Sequence, residues 1–212
     1  MQTFNRRTLI VLGASMIAAP AFAQDESAPA NAKPEEAGEI KDFTIGSKDA
    51  PIEIVEYASY TCTHCAAFHA NVYPQLKKDY IDTGKVRLAL REVYFDRYGL
   101  WAAMVARCGG EMRYFGISDL LFDKQNDWAT SQDPVEAVKK LRQIGLSAGL
   151  TNDQLDACLA DGKKAEALVA YSEARMKEQD VNATPTLIIN GEKYSNMSYD
   201  KLKAIIEEKL KG

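Results

Sequence analysis

Cys62 and Cys65 stand three positions apart in the stretch YTCTHCAAFH, residues 60–69, with Thr63 and His64 between them. Metal ligation, haem attachment and reversible disulfide formation all use two cysteines so placed. Haem attachment needs a histidine directly after the second cysteine, and that position holds Ala66. A zinc site would recruit Cys62, Cys65 and His69, but the chain has only two histidines and a fourth ligand would have to come from far along the sequence. No metal and no cofactor is therefore expected. A purely structural bridge across so short a loop removes little entropy from the unfolded chain. The reading that remains is a redox-active pair.

The spacing suits that chemistry if the pair opens a helix. Cys62 then sits where unpaired backbone N–H groups and the helix dipole favour a thiolate, and Cys65 lies one turn on, close enough to close a disulfide and less exposed. Cys62 is the attacking sulfur and Cys65 the resolving one. His64 can donate to the Cys62 thiolate or place positive charge beside it; stabilising the thiolate makes the disulfide a stronger oxidant. Thr63 matters less, because its hydroxyl can bond the local backbone. His69, one turn beyond Cys65, reads as a surface or packing histidine.

The elements that must hold these residues punctuate the chain clearly. PIEIVEYAS (51–59) and KVRLALREVYF (85–95) read as strands, and TPTLIINGEKYS gives a third strand running into the hairpin signal Asn190-Gly191. Phe68, Val72 and Leu76 continue the Cys62–Cys65 segment at helical spacing, and Leu202, Ile205, Ile206 and Leu210 mark an amphipathic helix after Ser198. Between the second strand and the hairpin the pattern is helical throughout. Trp101, Met104, Val105 and Cys108 form one stripe and Ala165, Leu168, Val169 and Ser172 another; Asp133-Pro134 is a helix start, and Thr151 to Gln154 fits a capping box.

The N-terminus bears on the redox reading. MQTFNRRTLIVLGASMIAAPAFA has two arginines, a short apolar run and the small-residue pattern Ala21-Phe22-Ala23, so residues 1–23 read as a secretory signal cleaved near Ala23, of either the general or the twin-arginine kind. The mature protein is expected in the periplasm. Removing the signal moves the formal charge from −4 to −6, which leaves no electrostatic footprint for nucleic acid. Residues 24–42 hold six acids against two lysines, with two prolines, and residues 24–40 are assigned as an acidic disordered leader. An oxidising compartment and an even cysteine count favour a structural disulfide between Cys108 and Cys158.

VEYASYTCTHC resembles the active-site segment of the DsbA-like thiol:disulfide interchange proteins, and NATPTLIING resembles their second signature. The resemblance covers most of the mature chain and implies a thioredoxin fold with an inserted all-helical domain. Residues 41–96 and 180–212 would form the thioredoxin-fold domain and 97–179 the insertion, which accounts for the 120 positions between Cys65 and Pro185. One departure is that the best-known oxidases of the family carry proline and histidine between the cysteines. The resemblance further implies a cis peptide bond at Pro185 beside the disulfide, a Thr184 backbone that pairs with substrate as a short added strand, and a buried acid at Glu56 whose pKa is raised and which relays the proton of Cys65; the strand pattern alone, broken by Ile54-Val55, also allows Glu56 to be an exposed strand acid.

The function implied is transfer of the Cys62–Cys65 disulfide to reduced exported proteins, with re-oxidation by a membrane quinone-linked partner of the DsbB type. A disulfide isomerase or reductase held reduced by a DsbD-like protein is the nearer alternative, and Thr184 suits both. Isomerases of this kind need an oligomerising segment; the leader has no heptad pattern, which favours a monomeric oxidase. A non-catalytic thiol module that binds metal or holds unfolded chains is the farther alternative.

Overall fold

The computed structural model describes residues 40–211, so the expected signal peptide and residues 24–39 of the leader lie outside the described residues. Its centre is a strand, β2 (Ile52–Ala58), bonded on one side to the parallel β3 (Val86–Glu92) and on the other to the antiparallel β4 (Thr186–Ile189). A two-residue strand, β1 (Thr44–Ile45), edges β3, and β5 (Glu192–Ser195) edges β4, so the order across the sheet is β1-β3-β2-β4-β5. Nothing in the sequence pattern announces β1, because two residues carry no periodicity. The β4–β5 turn needs positive φ at both central residues, and Asn190 (φ 46°) and Gly191 (φ 85°) supply it.

A strand with neighbours on both sides and layers on both faces reads as a nearly continuous apolar run, and only Glu53 of β2 is exposed. Period-two alternation nonetheless sorts the strand. Ile52, Ile54 and Ala58 belong to the large core shared with the helices, whereas Val55 and Tyr57 belong to a second cluster with Ala89, Val93, Val181 and Ile188. The parallel β2–β3 pair requires a crossover, made by α1 (Thr63–Asn71), α2 (Tyr73–Leu76) and a wide turn over Lys77–Ile81 in which Asp82 N–H bonds the Lys77 carbonyl at 2.8 Å. Pro74 sits in the first turn of α2, where it costs no helical hydrogen bond.

From Arg97 to Glu178 the chain folds into six helices joined by short turns. α3 (Arg97–Cys108) is capped by Asp96, which accepts from Gly99 N–H, and Gly109 separates it from α4 (Gly110–Asp123), whose first residue takes a positive φ of 65°. The single turn α5 (Gln125–Trp128) follows. Asp133 caps α6 (Pro134–Ser147), Thr151 and Gln154 close the capping box of α7 (Asn152–Ala160), and Asp161 caps α8 (Gly162–Glu178). Leu168 and Ser172 of the α8 stripe are buried while Ala165 is only partly so. The C-terminal α9 (Tyr199–Lys209) buries Leu202 and Ile206; Ser198 precedes it but makes no side-chain cap.

Candidate active site

Cys62 is the last extended residue before α1, with φ −83° and ψ 118°, and its carbonyl accepts from Cys65 N–H and Ala66 N–H at 3.1 Å each. Both cysteines are free thiols; Cys62 is partly exposed and Cys65 fully buried. The Thr184–Pro185 peptide bond is cis, and the Thr184 carbonyl oxygen lies 3.6 Å from Cys62 Sγ. β4 begins immediately after this proline and pairs with β2, whose end leads into Cys62, so the sheet brings together two segments far apart in sequence.

The two sulfurs differ in what surrounds them. Burial pushes the Cys65 thiol well above the usual range, the charges of Glu56 and Cys62 push it the same way, and hydrogen bonds to Thr184 and Ser59 oppose them only in part. Cys62 alone is reachable by an incoming thiolate. Thr63 and His64 are exposed, and among the described residues no hydrogen bond joins the His64 ring to Cys62.

Glu56 lies on the α1 side of the sheet, fully buried, the parity it shares with Ile52 and Ile54. Its partner is His69, with Nε2 3.1 Å from Glu56 Oε2. The expectation that His69 is a surface or packing residue is corrected to that extent. It does pack, stacked on Phe122 with ring centroids 4.0 Å apart, but its side chain is 4% exposed and forms an ion pair with the buried carboxylate. Burial alone would lower its pKa; the Glu56 charge, Asp119 and the hydrogen bond to Glu56 outweigh it and raise the pKa to about 9. The sequence does carry a signal for this pairing. His69 follows Cys65 by four positions on α1 and so shares its inward face.

Two further contacts fix the loop before Cys62, and no periodicity reveals them. Gln125 of α5 donates through Nε2 to the carbonyls of Tyr60 at 2.8 Å and of Cys62 at 3.0 Å. Thr61 Oγ1 donates to Asp96 Oδ2 at 2.8 Å, so the residue that caps α3 also holds the approach to the pair. Deeper in the helical segment Arg107 grips Glu92 with two hydrogen bonds of 2.8 and 2.7 Å, and Tyr114 donates to the same carboxylate at 2.6 Å. Cys108 and Cys158 are bridged, Cα to Cα 5.8 Å, tying the end of α3 to α7. Among the described residues there is no cluster of three or more His, Cys, Asp or Glu side chains suited to a metal ion.

A family model described as thioredoxin matches residues 39–208. A Rickettsia bellii (strain RML369-C) protein, named provisionally as a protein-disulfide oxidoreductase, is 34% identical over 170 residues, covering 80% of this chain and 64% of its own. The chain spans between 60% and 64% of the length of the Rickettsia relatives it matches. Disulfide bond formation protein D of Bacillus subtilis (strain 168) is 28% identical over 182 residues, covering 79% of this chain and 77% of its own. The crystal structure of Wolbachia pipientis alpha-DsbA1 superposes with a TM-score of 0.74 at 29% identity, covering 79% of this chain and 90% of that one.

Proposed function

The chain belongs to the thioredoxin family, has the DsbA-like form of its fold with a helical insertion, and from that premise we propose that it is an exported dithiol oxidase. Oxidised Cys62–Cys65 is attacked at Cys62 Sγ by a client thiolate, the bond to Cys65 breaks, and a mixed disulfide forms at Cys62. The client's second thiolate then attacks its own sulfur in that mixed disulfide, so the client leaves oxidised and the protein is left as the dithiol. The observation that carries this reading is the asymmetry of the pair: an accessible sulfur at a helix N-terminus beside the Thr184 carbonyl, and a fully buried one a turn later. The names of the Rickettsia and Bacillus relatives point the same way.

In this scheme Thr184 offers its backbone to an extended client, Pro185 turns the chain into β4, Glu56 carries the proton of Cys65, and His64 adds positive charge above Cys62. Residues 97–179 act as an insertion domain whose Gln125 braces the loop. A signal over residues 1–23 would deliver the protein to the periplasm, where a quinone-linked membrane protein of the DsbB type re-oxidises it as a monomer. Thiol trapping in living cells tests the proposal. Cys62 found mostly oxidised supports the oxidase; Cys62 found mostly reduced replaces it with an isomerase or reductase.

A further inference from the structure

Among the described residues, three buried polar atoms near the redox pair have no hydrogen-bond partner: Glu56 Oε1, His69 Nδ1 and the Tyr73 hydroxyl. His69 and Tyr73 also line a groove of about 670 Å³ between α1 and the α4–α5 segment, which starts at Thr63 and is bordered by Asp119, Asp123 and Lys77. The imidazole thus faces two ways. Nε2 meets the Glu56 carboxylate at 3.1 Å, and Nδ1 lies 3.9 Å from the half-exposed Asp119 Oδ1, too far for a hydrogen bond but near enough for charge attraction. Tyr73 sits against the ring with centroids 4.8 Å apart, and Phe122 covers one face.

The chemistry of the pair creates a need at this spot. A sulfur leaves a disulfide faster the lower its thiol pKa, and burial gives Cys65 a raised one, so the bond to Cys65 breaks slowly unless a proton arrives as it breaks. Taking Cys62–Cys65 as the redox pair of the proposed function, we propose that His69 is a positioning residue that stores this proton and lends it to Cys65 through Glu56. As the client thiolate bonds to Cys62 Sγ, the electron pair of the old S–S bond departs on Cys65 Sγ. The proton on His69 Nε2 passes to the Glu56 carboxylate at 3.1 Å and from the carboxyl, whose Oε1 has no partner among the described residues, by way of a bridging water to that sulfur, leaving a neutral imidazole with its proton on Nδ1. In re-oxidation Cys62 is held in a mixed disulfide with a disulfide-bearing oxidant. Cys65 Sγ then attacks Cys62 Sγ, the oxidant's thiolate leaves, and the Cys65 proton returns by the same path. No proton need cross the protein surface in either half. Cys65, Glu56, Asp119 and Tyr73 are the titratable groups around the ring, with Lys77 and Asp123 at the groove edge.

The test is the pH profile, between pH 6 and 10, of the rate at which the oxidised protein oxidises a reduced dithiol peptide, corrected for the peptide's own thiolate fraction. The parent should hold its rate up to about pH 9, where His69 gives up its stored proton, and fall above it. His69→Gln keeps a donor for Glu56 but cannot carry the proton; its neutral-pH rate should drop at least about tenfold and its profile should lose the fall near pH 9. Combining it with Glu56→Gln should add little, since both act on one path. Asp119→Asn, at a half-exposed position that does not endanger folding, should move the fall to lower pH by removing a charge that holds the imidazolium. A His69→Gln protein with the parental profile overturns the inference, and so does an unmoved fall in Asp119→Asn should His69→Gln not fold. A parent that leaves the peptide reduced overturns the redox reading together with this inference; an active parent whose fall survives both substitutions overturns the inference alone.

Discussion

Cys62 and Cys65 carry the same side chain in unlike surroundings, and the difference sets their tasks. Cys62→Ala should abolish disulfide transfer, whereas Cys65→Ala should accumulate mixed disulfides with clients, because the intermediate at Cys62 loses the thiol that resolves it. Non-reducing gels of the two variants after exposure to reduced clients check this, and equal trapping by both would overturn the assignment. His64 is a finer adjustment. It is exposed and among the described residues makes no hydrogen bond to Cys62, so its ring acts on the sulfur only through solvent, where polar interactions are worth little. His64→Ala should make the reduction potential more negative by about 20 mV or less, measured against glutathione. A shift of 60 mV would mean that the ring bonds the thiolate directly once Cys62 ionises.

At the scale of the element, the two cysteine pairs were legible in the sequence for different reasons. The strand before Cys62, the helix after it and the Asn190-Gly191 turn are local patterns, and the long helical run between them is visible from stripes and caps. Glu56 and His69 show what local pattern leaves out. In IEIVEYA both Glu53 and Glu56 interrupt an apolar run, and only the count by twos from Ile52 separates the solvated acid from the buried one. Gln125 could not be read at all, since a glutamine on a four-residue helix has no periodicity and its partners are backbone carbonyls some 63 to 65 positions away. The Cys108–Cys158 bridge joins helices inside the run, away from the sulfurs that react. Closing a loop with sequence separation 50 stabilises by up to about 4 kcal/mol in the chain-entropy description. Replacing both residues with alanine should lower the melting temperature and leave the rate of disulfide transfer nearly unchanged. A collapse of transfer in a folded double variant would show that the bridge shapes the site.

For the whole molecule, the ion pair under α1 links stability to pH. The folded-state pKa of His69 is raised to about 9 from 6.5, so its contribution is fully present below pH 6.5 and is lost as pH rises through 9. The loss over that window is at most about 3 kcal/mol. Urea denaturation at pH 6.5 and pH 9 should show the parent weakening, and a Glu56→Gln/His69→Gln double variant should show no such slope. An equal slope in both would place the titrating group elsewhere. Gln125 has a different consequence, one for protein engineering. Its amide completes the hydrogen bonding of the Tyr60 and Cys62 carbonyls, so a miniature made by excising the helical segment would keep every reactive atom yet leave the Tyr60 carbonyl without its side-chain donor and the Cys62 carbonyl with only the Cys65 and Ala66 N–H groups. The reactive loop is not a transplantable cassette. Any chimera must carry α5, or an amide in its place, along with the cysteines.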